Sequence, residues 1–180
     1  MLKIISGNNR GRKIIFPFGE KTRPTSNMVK EAIFNIIQFD IINSNFLDLF
    51  SGSGQIGLEA ISRGASYVTF VDHDKICQKY LIKNLKNMNI QDKFDIINSD
   101  ALLYLSRANK IFDIIFLDPP YNQGLSDKIL NIIIKNVSKT GIVIVETEKK
   151  EVLKTEYNNL ELKKEYFYGK KKLSVYKNKN

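Results

Sequence analysis

The run Phe46-Leu47-Asp48-Leu49, followed directly by Phe50-Ser51-Gly52-Ser53-Gly54-Gln55-Ile56-Gly57, reads as a buried strand that turns through glycines into a helix. Glycines in such a turn let the backbone approach a ligand closely and aim N–H groups at it. Outward from this point, short apolar runs alternate with helical patterns. Strands are predicted at Phe46–Leu49, Tyr67–Val71, Phe94–Asn98, Ile111–Leu117 and Gly141–Glu146, with helices near Gly54–Arg63, Lys75–Asn87, Ala101–Arg107 and Asp127–Asn136. Strands separated by helices of about 10–15 residues imply βαβ units and a mostly parallel sheet. The end of the chain differs. Leu160–Tyr168 and Leu173–Tyr176, with Gly169-Lys170-Lys171-Lys172 as the turn between them, read as an antiparallel pair closing the sheet.

Before the first strand, Leu2 to Phe18 reads as a short hairpin with a basic tip, Asn8-Asn9-Arg10-Gly11-Arg12-Lys13. Thr22-Arg23-Pro24-Thr25-Ser26 then opens a helix, with Thr25 or Ser26 as N-cap and Val29, Ile33, Ile36 and Ile37 as its apolar stripe. Residues 1–22 are thus expected to form a basic extension on a single domain spanning 23–180.

The 180 residues suffice for one domain with its own core. Cys77 is the only cysteine, so no intramolecular disulfide forms and a reducing, cytoplasmic setting is expected. No apolar stretch is long enough for a membrane span, and the apolar part of Met1–Gly7 is too short for a secretory signal. A net charge of +9 points to a polyanionic partner, although the abundance of Lys, Ile and Asn fits an AT-rich genome equally well. Position carries more weight. Arg10, Arg12 and Arg23 all fall within the first two dozen residues, and arginine is the better phosphate fork.

The strand Ile111–Leu117 ends abruptly at Asp118-Pro119-Pro120-Tyr121. Two successive prolines fix φ and remove two backbone donors, so the chain must leave the sheet there. A carboxylate, a carbonyl free of ladder bonds and an aromatic face are thereby held just past a strand end, where open α/β sheets bind ligands. Methylation of an exocyclic amine needs those parts: acceptors for the amine N–H bonds and a ring to stack on the base.

Gly52-x-Gly54-x-x-Gly57 also satisfies the dinucleotide fingerprint, and Asp72 lies about 20 residues on, where an acid would grip ribose hydroxyls. Asp48 separates the readings. A pyrophosphate would be repelled by a carboxylate beside the turn, whereas S-adenosylmethionine carries an ammonium and no phosphate. Asp100, in Asn98-Ser99-Asp100-Ala101, either accepts from an adenine amino group or simply N-caps the helix starting at Ala101.

Taken in order, Arg23-Pro24-Thr25, Asp48 through Gly54, Asp72, Asp100-Ala101 and Asp118-Pro119-Pro120-Tyr121 resemble amino methyltransferases that use S-adenosylmethionine. More narrowly, several stretches resemble the bacterial small-subunit (16S) ribosomal RNA guanine-N2 methyltransferase family RsmD. They are Ser6-Gly7 with Arg10-Gly11-Arg12-Lys13, Arg23-Pro24-Thr25 with Glu31 and Phe34-Asn35, and Gly57 through Ala65. The likeness runs from Ile4 to about Tyr176.

That resemblance implies a Rossmann-like class I methyltransferase fold. Its sheet would be mostly parallel and seven-stranded, with an antiparallel C-terminal closing strand. Asp48 and the turn Phe50, Ser51, Gly52, Ser53 and Gly54 would hold the methionine part of the cofactor, with Thr25 helping at its carboxylate. Asp72 would bind the ribose, and Asp100 with Ala101 the adenine; His73 would pack beside the adenine or stand exposed. Asp118, Pro119, Pro120 and Tyr121 would form the catalytic block, Tyr121 stacking on the flipped base. Arg10, Arg12, Lys13 and Arg23 would hold flanking RNA phosphates. The partner implied is 16S ribosomal RNA in an assembling small-subunit particle, bound by a monomer without metal. Family sequences usually carry Glu where this chain has Asp72, and often Phe where it has Tyr121.

Rival readings remain at this level. An NAD-dependent oxidoreductase would account for the glycine fingerprint. Adenine in DNA or a protein glutamine amide would suit Asp-Pro-Pro-Tyr nearly as well as guanine, since each presents a planar –NH2. A bare RNA-binding module would explain the charge. Lys170-Lys171-Lys172 reads as a solvated turn, and Cys77 as a core residue.

Overall fold

A computed structural model describes residues 2–17, 25–120 and 124–179 of the chain. The expectations for Arg23 and Tyr121, and the proposed boundary between residues 22 and 23, lie outside the described residues.

Among the described residues, eight strands form one sheet, in the order β3-β2-β1-β4-β5-β8-β7-β6. The strands are β1 (Asn45–Leu49), β2 (Tyr67–Asp72), β3 (Phe94–Asn98), β4 (Phe112–Leu117), β5 (Val137–Glu148), β6 (Glu156–Tyr157), β7 (Leu160–Tyr168) and β8 (Lys171–Asn178). β1 to β5 pair in parallel, and β8 enters antiparallel against β5. The helices are α1 (Asn27–Ile36), α2 (Gln55–Ser62), α3 (Lys75–Asn87), α4 (Ala101–Arg107) and α5 (Leu125–Ile132). β1 lies between β2 and β4, so successive crossovers leave its carboxyl end in opposite directions. The crevice this opens at the carboxyl ends of β1 and β4 is where such sheets take ligands.

Alternation along the central strands supplies two cores. Phe46, Phe70, Ile114, Phe116 and Ile144 face Ile33, Leu58 and Leu81. Leu47, Leu49, Ile115, Leu117 and Val145 face Leu105, Ile129 and Tyr157. Each face buries its own layer of helices, which is why the strands read as continuous apolar runs.

The fold departs from the expectation in several places. The seven-stranded sheet gains an eighth strand, β6, of only two residues, too short to leave a periodic signal. The last predicted helix begins earlier and divides, α5 passing into a 3-10 turn over Ile133–Asn136. The N-terminal segment closes through a single antiparallel bridge, Lys3 with Lys13. Lys171 and Lys172 are not a solvated turn: both belong to β8, and Lys172 is buried against Glu165 and the carbonyl of Glu151.

Candidate active site

The glycine turn is drawn tight by β2 and its acid. The N–H groups of Phe50 and Ser51 both donate to the Val71 carbonyl, at 2.9 and 3.0 Å. The N–H of Gly52 donates to Asp72 Oδ2 at 2.7 Å. Phe50 itself is left-handed at φ 76°, a conformation that costs a non-glycine residue of order 1 kcal/mol and gathers at functional sites. Gly54, at φ 86°, leads into α2, and a Cβ there would stand 2.4 Å from Leu81. A Cβ on Gly57 would stand 2.2 Å from the Phe70 ring, so glycine lets α2 rest on β2.

Asp48 stands beneath this turn, buried, its Oδ2 accepting from the N–H of Gly57 at 2.8 Å. Burial pushes its carboxyl up to about 7; the Gly57 bond opposes the rise and nearby Asp72 adds to it. Beside it, the buried hydroxyl of Ser51 has no hydrogen-bond partner among the described residues. A desolvated carboxylate and an orphaned hydroxyl on one wall suit a ligand that brings an ammonium and further polar atoms. The residues present therefore fit the methionine end of S-adenosylmethionine.

Asp118 lines the same cavity, together with Asp48, Ser51, Thr25, Phe16 and Pro17. Its place follows from register. Leu117 pairs with Val145, so Asp118 emerges beside Glu146 at the carboxyl ends of β4 and β5. Glu146 is fully buried, forms an ion pair with Lys171 of β8 and accepts from the Thr25 hydroxyl at 3.4 Å. Burial holds the Asp118 carboxyl well above the usual carboxylate range. Glu146 and Asp48 push it further the same way, and Lys171 opposes. Pro119 is buried and Pro120 exposed.

Thr25 precedes the N-cap, which is Ser26: its side chain accepts from Val29. The Thr25 carbonyl accepts from Gln55 at 2.7 Å. The Asp72 carboxylate is shared between the N–H of Gly52 and that of Asp74, at 2.7 and 2.8 Å. Asp100 is exposed and caps α4 by accepting from Leu103 at 3.0 Å, with Ala101 buried behind it. Capping does not use up both oxygens of Asp100. His73 is exposed, 3.9 Å from Asp72. Cys77 borders the cavity but is buried, and burial with Asp74 nearby raises its thiol to about 11, so it stays neutral. No cluster able to hold a metal is found among the described residues.

The N-terminal segment is anchored by buried polar groups that the sequence did not announce. Glu59 accepts from the N–H groups of Ile5 and Ser6 and pairs with Lys30 and Arg63. Ser62 accepts from Asn9 and donates to the Ser6 carbonyl. These contacts seat Asn8 and Asn9 of the tip at the carboxyl end of α2, with Arg10, Arg12 and Lys13 exposed. α2, eight residues and about 12 Å long, runs from Gln55 at the cavity to Ser62 at this anchor. Among the described residues of this segment, Phe16 and Pro17 reach the cavity.

Glu146 and Lys171 are functional candidates that sequence reasoning passed over. Glu146 had left a signal, an acid closing an otherwise apolar strand; Lys171 had none that set it apart from its neighbours.

The chain is similar to several known proteins in sequence and in fold. The model of the family described as conserved hypothetical protein 95 matches residues 2–177. The ribosomal RNA small subunit methyltransferase D of Buchnera aphidicola, from the pea-aphid strain, is 43% identical over 151 residues, covering 82% of this chain and 78% of that protein. The Escherichia coli protein of the same name is 33% identical over 177 residues, covering 97% and 89%. A solved Escherichia coli structure named as a methyltransferase superposes with a TM-score of 0.89 at 33% identity, covering 99% and 98% of the two chains. One from Haemophilus influenzae, named as a methylase, gives 0.83 at 35%, covering 99% of each. Match to the family model across nearly every residue, with relatives of this identity and coverage, places the chain in the conserved hypothetical protein 95 family, the RsmD family.

Proposed function

We propose that the protein transfers a methyl group from S-adenosylmethionine to the exocyclic N2 amine of a guanine in small-subunit ribosomal RNA. One observation carries the reading: Asp118 and Asp48, from adjacent strands, face one cavity beneath the glycine turn. Asp48 suits the cofactor's ammonium, and Asp118 suits an amine presented beside it. The relatives named as small-subunit ribosomal RNA methyltransferases support RNA as substrate. A structure titled as a complex with S-adenosylhomocysteine shares the fold at a TM-score of 0.67 and 16% identity.

When bound, S-adenosylmethionine supplies a methyl group on a sulfonium, which leaves as a neutral thioether and needs no acid. The work of the chain is positional: the amine nitrogen must lie about 3–3.5 Å from the methyl carbon and in line with the S–CH3 bond. The Asp118 carboxylate and the carbonyl of Pro119 accept the two amine N–H bonds. That draws the nitrogen lone pair out of conjugation with the ring and stabilises its developing positive charge. The methylated nitrogen then loses one proton, with Asp118 the nearest acceptor. Asp72 serves the ribose hydroxyls and Asp100 the adenine amine. Tyr121 stacks on the flipped base. The exposed Arg10, Arg12 and Lys13, with Arg23, hold phosphates of the flanking strand. The protein acts as a monomer in the cytoplasm on an assembling particle, and the N-terminal segment serves as an RNA-binding extension to the methyltransferase domain.

The test is direct. Small-subunit particles lacking the modification are incubated with protein and a tritiated methyl donor, and the RNA is digested to nucleosides. Label in N2-methylguanosine supports the reading. Label absent from RNA but present in DNA adenine or a protein glutamine overturns it.

A further inference from the structure

We propose that Glu146 and Lys171 are positioning residues for methyl transfer, opposed charges beside Asp118 that between them set how readily its carboxyl serves as acceptor for the substrate amine. The proposal rests on the reading of Asp118 given above. Its basis is the arrangement at one end of three neighbouring strands: Asp118 follows the carboxyl end of β4, Glu146 lies near the carboxyl end of β5, and Lys171 opens the antiparallel β8, opposite Glu148 in register, with its ammonium on Glu146.

Three carboxylates meet here. Asp48 comes from β1, Asp118 from β4 and Glu146 from β5, and both Asp48 and Glu146 act on Asp118 with like charge. From the segment entering α1 comes Thr25, and from α2 and α3 come Gln55 and a neutral Cys77, none of them charged. Like carboxylates crowded out of water do not all ionise. Left alone, the group would give up charge by protonating, and a protonated Asp118 offers one fewer acceptor to an amine that must donate two bonds. Lys171 is the cation that opposes this: it pairs with Glu146 and acts favourably on Asp118.

The pair also shapes the site. Glu146 accepts from the Thr25 hydroxyl, so the same carboxylate holds the segment entering α1 against the cavity. A buried ion pair is weak support for stability, since well-packed apolar residues of similar volume commonly replace one at no loss. Its placement beside Asp118 makes each member the counterweight to the other, so that losing one alone displaces the Asp118 carboxyl.

The roles of Glu146 and Lys171 predict opposite effects. In Lys171→Met the uncompensated Glu146 charge disfavours ionised Asp118. In Glu146→Gln the uncompensated ammonium favours it, and the amide still accepts from Thr25. Combining both removes the two opposing influences together. Two readouts on the full chain test this. One is the carbon-13 NMR titration of the Asp118 carboxyl, identified by its loss in Asp118→Asn. The other is the pH profile of methyl transfer to unmethylated small-subunit particles.

Lys171→Met is expected to move the Asp118 midpoint and the acid limb of the rate upward by about one pH unit. That is a tenfold slower transfer at a fixed pH below the limb. Glu146→Gln is expected to move both downward, the double variant to return near wild type, and Lys171→Arg to match it. Shifts in the same direction, or slower transfer with an unmoved midpoint in both single variants, would reduce the pair to a structural contact. If either single variant fails to fold, the double variant decides: a midpoint displaced from wild type by a full unit overturns the proposal. A wild-type chain that transfers no methyl to RNA sinks the functional reading, while the NMR midpoints still report whether the pair governs Asp118.

Discussion

Asn84 of α3 holds the backbone of Ile15 as a strand partner would. Its Oδ1 accepts from the Ile15 N–H at 2.9 Å and its Nδ2 donates to the Ile15 carbonyl at 2.8 Å. The same Nδ2 reaches the carbonyl of Ser53 at 3.0 Å, tying the N-terminal segment to the glycine turn. Phe16 and Pro17 follow at once and wall the cavity.

Replacing the buried Asn84 with Leu leaves the Ile15 N–H and the two carbonyls without that partner, a cost of about 1 kcal/mol or more. Thermal unfolding should report the loss. Titration calorimetry should show weaker S-adenosylmethionine binding, because the wall is no longer held. Unchanged cofactor affinity in a folded Asn84→Leu chain would detach the segment from the site.

Asp48→Asn is expected to stabilise the free protein while impairing cofactor binding. The folded-state pKa of Asp48, about 7, lies above its unfolded value. Its contribution is therefore fully present below about pH 4 and is lost as pH rises to about 7. An amide that need not ionise escapes that loss, worth up to about 4 kcal/mol above pH 7 for a shift of this size. Denaturant unfolding at pH 5 and pH 8 should show the variant's advantage growing with pH. Calorimetry should show the wild type binding S-adenosylmethionine more tightly as pH rises from 5 to 7.

Asp118→Ala should abolish methyl transfer and leave cofactor affinity within a few-fold, since Asp48 and the turn remain. Measured single-turnover rates equal to wild type would remove Asp118 from the chemistry.

Substituting Arg10 and Arg12 together by Ala should raise KM for RNA without altering kcat, because the tip is a helix length from the cavity. If each arginine holds one phosphate of a single strand, the slope of log affinity against log salt falls by about 1.4. An unchanged slope would mean that RNA does not touch the tip.

Much of the parallel half of this fold was legible because periodicity reports burial. β3, α3 and α4 have the very bounds read from the sequence, and α4 begins after Asp100, the acid expected to cap it. Asp74 and Asp100 cap their helices for the reason their residue type predicts. The two-residue β6 and the single Lys3–Lys13 bridge lie below the length at which alternation can be read.

By itself the order of residues determined the strand–turn–helix alternation, the glycine turn with its acid, and the double proline that ends β4. Each is local: strands, turns and proline stops follow from neighbours within a few positions. Only the tertiary structure decided that Glu146 and Lys171 meet beside Asp118, that Glu59 gathers two other chain segments, and that the basic tip sits away from the cavity. Those relationships depend on strand order and on which face of the sheet each side chain takes. Both are settled by burying the whole core at once, and no short stretch of sequence records them.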